Sequence, residues 1–194
     1  MSEKRKRMSD NFSSYKKNIF EIKWKSSQSS LYVKNNLLYK LFKYNCHFNN
    51  AHTILSKVTH QNIVNVIDVK DRCLVIPYYG KTDLFELIIE KSKLSYQLSM
   101  HIIYQLIQAI KYLHKNKICH LDIKPENIMI LPKYKIKLID FGSAIKLKNK
   151  KLIDTIIPFT ESYASPNRVK KLPYDAYSED IWSIGCVLYT MVVG

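Results

Sequence analysis

The most informative run of residues in this chain is His120-Leu121-Asp122-Ile123-Lys124-Pro125-Glu126-Asn127. An apolar, strand-like run follows it and ends at Ile139, directly before Asp140-Phe141-Gly142. Together the two segments supply two aspartates, a lysine and an asparagine in a fixed order: Asp122, Lys124, Asn127 and Asp140. The alternative explanation is a chance cluster in a Lys- and Asn-rich chain, which accounts for one segment more easily than for both in this order.

These residue types match the few roles that phosphoryl transfer asks of a protein: a carboxylate near the acceptor hydroxyl, a cation on the phosphate and oxygen ligands for Mg²⁺. The two segments resemble the catalytic centre of the protein kinase superfamily, and the resemblance covers roughly residues 20–194. It implies an α+β, bilobal fold with ATP and Mg²⁺ as cofactors. It also implies that Asp122 is the catalytic base, that Lys124 contacts the γ-phosphate, and that Asn127 and Asp140 hold Mg²⁺. For Asp122 alone, the simpler interpretation is a capping or salt-bridged loop carboxylate.

Lys124 followed by Pro-Glu-Asn resembles the Ser/Thr branch of the family, as does the segment from Thr160 to Pro166. The resemblance implies a protein substrate with a Ser or Thr hydroxyl, and it places Thr160 in hydrogen-bonding range of Asp122 and Lys124. Asp180 resembles the buried aspartate that anchors the catalytic loop from a central helix.

The nucleotide side departs from the family. The first glycine in the chain is Gly80, so a Gly-rich loop over the phosphates is missing, and Ser26 and Ser29 stand where two of its glycines would fall. Serine offers N–H and hydroxyl donors but adopts positive φ less freely than glycine. An ordinary polar hairpin explains this segment as well as a phosphate-covering flap does.

Leu37-Leu38-Tyr39-Lys40-Leu41-Phe42 resembles the strand that presents the ATP-binding lysine, which makes Lys40 the candidate and Lys43 the reserve. Its usual partner is a glutamate on the following helix, at the position of Ala51. No acidic residue lies between Lys40 and His60. We therefore expect weakened orientation of the lysine and weaker ATP binding.

Ile76-Pro77-Tyr78-Tyr79 resembles the hinge that reads adenine through backbone groups, where Pro77 keeps its carbonyl and Tyr79 keeps an N–H donor. Met129 is a further expected nucleotide contact. Asp83 falls where the family often has a carboxylate for the ribose, but an N-cap of the helix that begins at Leu84 is the preferred interpretation.

Two more departures concern regulation. Leu121 replaces the arginine that commonly receives an activation-loop phosphate, which predicts that phosphorylation does not switch the protein by that route. Asn167 replaces a glutamate that in the family pairs with an arginine in later helices.

Periodicity predicts a basic leader (1–18), a small strand-rich part (19–76), a connector (77–81) and a helical part (82–194). The resemblance implies that these parts are a nucleotide-binding lobe, a hinge and a helical catalytic lobe that is incomplete at its C-terminus. Strands are expected around a serine-rich turn between Ile19 and Tyr44, and from Ile63 to Val69 and Cys73 to Ile76. Helices are expected from Ala51 to Thr59 and after Asp83. Two faces are predicted to be buried in the helical lobe: Leu84, Leu87 and Ile88, then Ile102, Leu106, Ile110 and Leu113.

The helix from Ile181 to Val193 is apolar nearly all round, as in a helix at the centre of a lobe. Without the family's later helices, part of its surface is expected to face water. We therefore expect self-association or a protein partner at this truncated lobe.

Composition limits the functional classes and cellular locations to which the protein can belong. The chain has 194 residues and a net charge of +15, which favours acidic partners but also reflects heavy lysine use. Nucleic-acid binding is therefore an alternative, although no binding motif supports it. The spread of the four cysteines indicates neither a disulfide framework nor a zinc site, and no membrane span is apparent. An intracellular protein is expected, cytoplasmic or, if Lys4-Arg5-Lys6-Arg7 acts as an import signal, nuclear.

The main rival to an active kinase is a pseudokinase, a binding module that keeps the fold and scaffolds or inhibits another kinase.

Overall fold

The computed structural model describes residues 21–25, 29–147, 152–154 and 157–194, with side chains described from Ser29 onward. The predicted leader, Ser26 and most of the serine-rich turn lie outside the described residues. The first part of the chain forms a five-stranded antiparallel sheet in the order β1-β2-β3-β5-β4. Its strands are β1 (Glu21–Lys25), β2 (Ser29–Lys34), β3 (Leu37–Phe42), β4 (Asp68–Lys70) and β5 (Cys73–Pro77).

A tight turn sets the register of the β2–β3 hairpin. Asn35 and Asn36 both have positive φ, 50° and 58°, which is the conformation that a two-residue hairpin turn needs and that asparagine tolerates. In this hairpin Leu31 of β2 pairs with Lys40 of β3. On its other side β3 pairs with β5, where Lys40 lies opposite Leu74. Lys40 therefore sits on a central strand with both neighbours in place.

Helix α1 (Asn45–Leu55) covers one face of the sheet. The predicted helix from Ala51 to Thr59 was wrong at both ends. The observed helix begins earlier, at Asn45, where polar residues give no clear helical pattern, and it ends before Ser56. Its buried face consists of Phe48, Ala51, Ile54 and Leu55.

The predicted strand from Ile63 to Val69 was mostly wrong, since only Asp68–Lys70 joins the sheet. Its first residues bond instead to the helical part of the molecule. The Val64 N–H donates to the Leu138 carbonyl at 2.9 Å, and the Leu138 N–H donates to the Asn62 carbonyl at 2.8 Å. This segment therefore joins the sheet and α1 to the helical lobe.

The second part of the chain is mainly helical, with α2 (Leu84–Lys91), α3 (Tyr96–Lys115), α4 (Pro166–Val169) and α5 (Ala176–Val193). Short strands pair beside them: β6 (Ile118–Cys119) with β9 (Ile145–Lys146), β7 (Ile128–Leu131) with β8 (Lys135–Leu138), and β10 (Leu152–Ile153) with β11 (Tyr174–Asp175). Both predicted helical faces are confirmed as buried, and α3 contributes the most deeply buried set: Ile102, Leu106, Ile110 and Leu113.

Helix α5 has two different faces. Asp180, Ile184, Val187 and Met191 are buried against the lobe, whereas the opposite face is open and exposes Ile181 (58%), Trp182 (46%), Tyr189 (67%), Val192 and Val193. The prediction of a partly exposed apolar helix is confirmed. Within the described part of the chain, no helix combines the length and apolar character needed to cross a bilayer.

Candidate active site

Asp180 of α5 holds the loop that carries Asp122 through hydrogen bonds to the loop backbone. The Asp180 carboxylate is fully buried and accepts the N–H groups of Leu121 at 2.8 Å and His120 at 3.0 Å, and it lies 2.8 Å from His114 Nε2. Leu121 has a φ of 62°, a left-handed conformation that costs a non-glycine residue about 1–2 kcal/mol. The predicted anchoring role of Asp180 is confirmed, and its hydrogen bonds explain how this strained backbone is held.

Asp122, Lys124 and Thr160 form one hydrogen-bonded group. Lys124 Nζ donates to Thr160 Oγ1 at 2.7 Å and lies 3.2 Å from Asp122 Oδ2, while Thr160 Oγ1 donates to Asp122 Oδ1 at 3.0 Å. Residues 38 positions apart in sequence thus meet at one carboxylate. The expected hydrogen bonds of Thr160 to Asp122 and Lys124 are thus present.

Asn127 completes this group from the end of the loop. Its Nδ2 donates to the Asp122 carbonyl at 2.7 Å and to Asp122 Oδ2 at 3.2 Å. Both bonds use the amide nitrogen, so neither of them occupies the Asn127 Oδ1, which is an acceptor of the type that hard cations prefer.

His120 connects the catalytic loop to the Asp140 segment. Its Nδ1 accepts the Asp122 N–H at 3.3 Å, so the tautomer with hydrogen on Nε2 fits the 3.0 Å contact to the Ile139 carbonyl. The imidazole also packs edge-on against Phe141, with 4.9 Å between ring centroids. The two sequence segments that carry the resemblance are therefore one packed unit.

Asp140 lies opposite Lys40 of β3. Lys40 Nζ is 2.6 Å from Asp140 Oδ1, which also accepts the Gly142 N–H at 3.2 Å. Desolvation opposes ionisation of this carboxyl, but attraction to Lys40 and the hydrogen bonds from Lys40 and Gly142 hold its pKa below the usual range. The lowered pKa favours the ionised carboxylate of Asp140, and 40% of its side chain remains accessible.

Helix α1 reaches the same segment through a residue that sequence reasoning missed. Ala51, at the position of the missing glutamate, is 1% exposed within the hydrophobic core. Its neighbour Asn50 donates through Nδ2 to the carbonyls of Gly142, at 3.2 Å, and Ala144. No sequence signal identifies Asn50, because an asparagine on a polar helix turn has no distinguishing pattern.

Of the two expected phosphate-loop residues, Ser29 lies within the described residues, and its position differs from the expectation. Ser29 lies within β2, opposite Phe42, and is 4% exposed, so it belongs to a strand and not to an open loop. The reserve lysine, Lys43, is exposed just after β3, and its carbonyl accepts from Arg72 Nη1 at 2.6 Å. Lys40, not Lys43, faces Asp140.

The hinge residues follow β5 without a break. Pro77 is the last residue of β5 and lies opposite Leu37. The Tyr78 N–H donates to the Asn36 carbonyl at 2.9 Å, which ties the connector to the β2–β3 turn. The Tyr79 hydroxyl donates to Asn65 Oδ1 at 3.0 Å.

Asp83 caps helix α2. Its Oδ1 accepts the Glu86 N–H at 2.9 Å, so the N-cap interpretation is confirmed. Burial raises the Asp83 pKa, and the hydrogen bond from Glu86 partly opposes that rise. The backbone of Asp83 also forms an isolated antiparallel β-bridge with Met129 of β7. These two predicted nucleotide contacts therefore lie side by side.

Comparison with known proteins agrees with this arrangement. The chain is 36% identical over 144 residues to "Serine/threonine-protein kinase 36" of Mus musculus, a match covering 73% of this chain and 11% of that protein. It is 41% identical over 144 residues to "PAS domain-containing serine/threonine-protein kinase" of Mus musculus (72% and 10%). It is 34% identical over 145 residues to "Serine/threonine-protein kinase GIN4" of Saccharomyces cerevisiae (73% and 13%).

These matches span only about a tenth of each relative's length. The family model described as "Protein kinase domain" matches residues 18–194, nearly the whole chain. The sheet, the helical lobe and the joined catalytic segments are those of this fold, and the chain belongs to the protein kinase domain family.

Proposed function

We propose that this protein is a Ser/Thr protein kinase that transfers the γ-phosphate of ATP to Ser or Thr hydroxyls of protein substrates. One observation carries the proposal: Asp122, Lys124, Thr160 and Asn127 form a single hydrogen-bonded group, 2.7–3.2 Å apart atom to atom. A structural loop carboxylate has no need of a lysine and a threonine hydroxyl from a distant segment.

In this mechanism Asp122 orients the acceptor hydroxyl and takes its proton as the oxygen attacks the terminal phosphorus and the bond to ADP breaks. Lys124 neutralises charge on the transferred group, and Thr160 keeps Lys124 and Asp122 aligned. Because the hydrogen bonds of this group are already formed, its charges need little reorganisation during transfer.

Asn127 Oδ1 and the ionised Asp140 carboxylate fit a hard cation, because both offer oxygen ligands and Asp140 remains accessible. Bound Mg²⁺ would neutralise the charge that develops on the phosphates. Lys40 would then contact the phosphates beside Asp140. The backbone of Pro77 and Tyr79 would take adenine within a hinge at residues 77–81, with Asp83 and Met129 on the ribose and ring side.

A pseudokinase is the second candidate, and a specific observation favours it. Lys40 pairs with Asp140 at 2.6 Å instead of with an acid on α1, and the α1 position is a buried alanine. In that case the protein would bind nucleotide without transferring phosphate, and would act by contact with a partner.

The test is Mg-ATP-dependent labelling of a generic basic protein (histone) and a generic acidic protein (casein) by the 194-residue chain. Asp122→Asn is expected to lower the transfer rate at least ~10²-fold with nucleotide affinity nearly unchanged. Asp71→Asn, at an exposed turn with positive φ that asparagine tolerates, is the matched control. Equal rates for wild type and Asp122→Asn would refute the assignment, and nucleotide binding without any transfer would favour the pseudokinase.

A further inference from the structure

One buried arginine lies beneath the proposed active site. Arg168 of α4 is 4% exposed, and it is one of four arginines in a chain whose other basic residues are lysines: Arg5, Arg7, Arg72 and Arg168. A guanidinium differs from an ammonium in its rigid planar fork, which can serve several acceptors at once. The use of arginine at this buried position therefore indicates a need for that geometry.

Arg168 joins three separate segments. Nη1 donates to the Leu121 carbonyl of the catalytic loop at 2.7 Å and to Glu179 Oε1 of α5 at 3.3 Å. Nη2 donates to the carbonyls of Ile157 and Pro158 at 3.3 and 3.4 Å. One side chain thus contacts the catalytic loop, the central helix and the segment that leads into Thr160.

Aromatic rings enclose the guanidinium. Its Cζ lies 4.6 Å from the ring centroid of Phe159 and 5.2 Å from that of Tyr174, distances at which cation–π attraction operates. Phe159 immediately precedes Thr160, so the stacking fixes the backbone next to the residue that bonds Asp122 and Lys124.

Glu179 extends the connection to the other end of the same segment. Its side chain is fully buried, and Oε1 accepts the Ser165 N–H at 3.1 Å as well as Arg168 Nη1. A buried carboxylate and guanidinium depend on each other, because losing one leaves an unpaired charge. The pair therefore holds residues 157–165 at both ends.

We propose that Arg168 and Glu179 form a permanent brace that holds the 157–165 segment, and with it Thr160, against the catalytic loop without any phosphate. Leu121 replaces the arginine that receives a loop phosphate in many protein kinases, and its side chain is apolar. The Arg168 guanidinium instead contacts the Leu121 backbone carbonyl from α4. Arg168 is a positioning residue in this account, since it acts through Leu121 and Thr160. The consequence for activity rests on the proposed kinase function.

The first test does not depend on activity. Amide hydrogen exchange is measured on the nucleotide-free chain for wild type, Arg168→Lys and the control Arg72→Lys, which makes the same change at an exposed arginine. Lysine keeps the charge but loses the fork, so the amides of Ala164 and Ser165 are expected to exchange at least ~10-fold faster, with those of α3 unchanged. Exchange at Ala164 and Ser165 within about 2-fold of wild type would overturn the brace.

The second test uses wild type and therefore remains decisive if Arg168→Lys does not fold. The chain is treated with a broad-specificity Ser/Thr phosphatase, which is then removed, and initial transfer rates are measured. Rates within about 2-fold of untreated protein are expected; a loss of ~10-fold that Mg-ATP preincubation restores would overturn the proposal.

For the folded Arg168→Lys variant, kcat is expected to fall at least ~10-fold with the KM for ATP within about 2-fold, because the nucleotide contacts lie elsewhere. An unchanged kcat would contradict the positioning role. If wild type transfers no phosphate, the proposed kinase function fails while the exchange experiment still decides the brace.

Discussion

Lys40 Nζ lies 2.6 Å from Asp140 Oδ1 and so forms an ion pair between the central sheet strand and the helical lobe. In this chain the lysine that lacks an acid on α1 pairs with the carboxylate proposed to hold Mg²⁺. In the proposed mechanism a cation at Asp140 would compete with Lys40, and the nucleotide phosphates would have to attract the lysine away from Asp140.

Asp140→Asn should weaken Mg-ATP binding at least ~10-fold, because it removes an ionised Mg²⁺ ligand. The affinity for ATP in the presence of EDTA should change less, since that complex does not use the metal. Isothermal titration with and without Mg²⁺ measures both, and Asp71→Asn is the control. Normal Mg-ATP affinity in Asp140→Asn would remove this residue from the metal site.

Ala51→Glu should raise the transfer rate if the new carboxylate reaches Lys40. Ala51 is 1% exposed in the core, so an unpaired glutamate there carries a large desolvation cost. The loss in unfolding free energy should be smaller with Lys40 present than in a Lys40→Met background, by about 1 kcal/mol or more. Denaturant unfolding of the four chains measures this coupling, with Ala51→Gln as the uncharged control.

If Ala51→Glu shows no coupling and Lys40→Met leaves Mg-ATP binding unchanged, Lys40 is not the nucleotide-binding lysine. Lys43→Met would then be the next variant. We expect Lys40→Met to cost less activity here than in a kinase whose lysine is oriented by a glutamate, because part of that orientation is already missing.

Asn50→Ala should lower the unfolding free energy by about 1–2 kcal/mol, since it removes the donor to the Gly142 and Ala144 carbonyls. It should also weaken Mg-ATP binding, because Gly142 positions Asp140. Asn49→Ala, one residue earlier on an exposed position, controls for helix propensity. Identical unfolding midpoints for the two variants would show that Asn50 does not support the site.

The stability of the protein should fall as the pH drops from 7 to 5, in part through His60. Desolvation and the nearby Lys137 lower the His60 pKa from its reference of 6.5, and Nδ1 accepts the Asn62 N–H at 3.1 Å. The unfolded state then binds the proton more readily, so stability is present above pH 6.5 and decreases below it. His60→Gln should flatten this decrease in pH-dependent denaturant unfolding.

His101→Gln, on an exposed position of α3, provides the matched control for His60. It should leave the slope of stability against pH as in wild type. A His60→Gln chain with the wild-type slope would assign the pH dependence to other groups.

The open face of α5 should drive association with a second copy of the chain, since Ile181 and Tyr189 are 58% and 67% exposed among other apolar residues of that face. Ile181→Ser combined with Tyr189→Ser should shift the protein towards monomer in sedimentation velocity. Ile89→Ser, at a 64% exposed position on α2, is the control. Wild type that remains monomeric at high concentration would contradict this prediction.

Several features could be predicted from the sequence because they depend on local order. Residues 120–127 and Asp140-Phe141-Gly142 are recognisable from residue type and spacing alone. The apolar period of α3 is enough to indicate which of its faces is buried. The N-cap at Asp83 follows from a carboxylate directly before a helical pattern. The prediction of Asp180 as the loop anchor likewise rested on its position in a recognisable motif.

Other features depended on contacts that no local pattern encodes. Helix α1 begins at Asn45 because its Phe48 and Ala51 pack on the sheet, which outweighs the weak helical pattern of its polar first turns. The segment from Ile63 to Val69 alternates like a strand, yet the Val64 N–H donates to the Leu138 carbonyl and the Leu138 N–H donates to the Asn62 carbonyl, between the lobes. Pairing of this kind is set by the folded chain.

Residue types and their spacing were enough to predict the family, the two-part fold and the residues around Asp122, because spacing along the chain places these groups on one loop and its neighbouring strands. Three contacts became visible only in the folded chain: Lys40 pairs with Asp140, Asn50 bonds to the Gly142 and Ala144 carbonyls, and Arg168 donates to the Leu121 carbonyl. These are long-range contacts of buried or partly buried polar groups. Each such group takes whatever partner the packed fold brings within hydrogen-bonding distance, because leaving it unpaired costs more than the bond itself contributes.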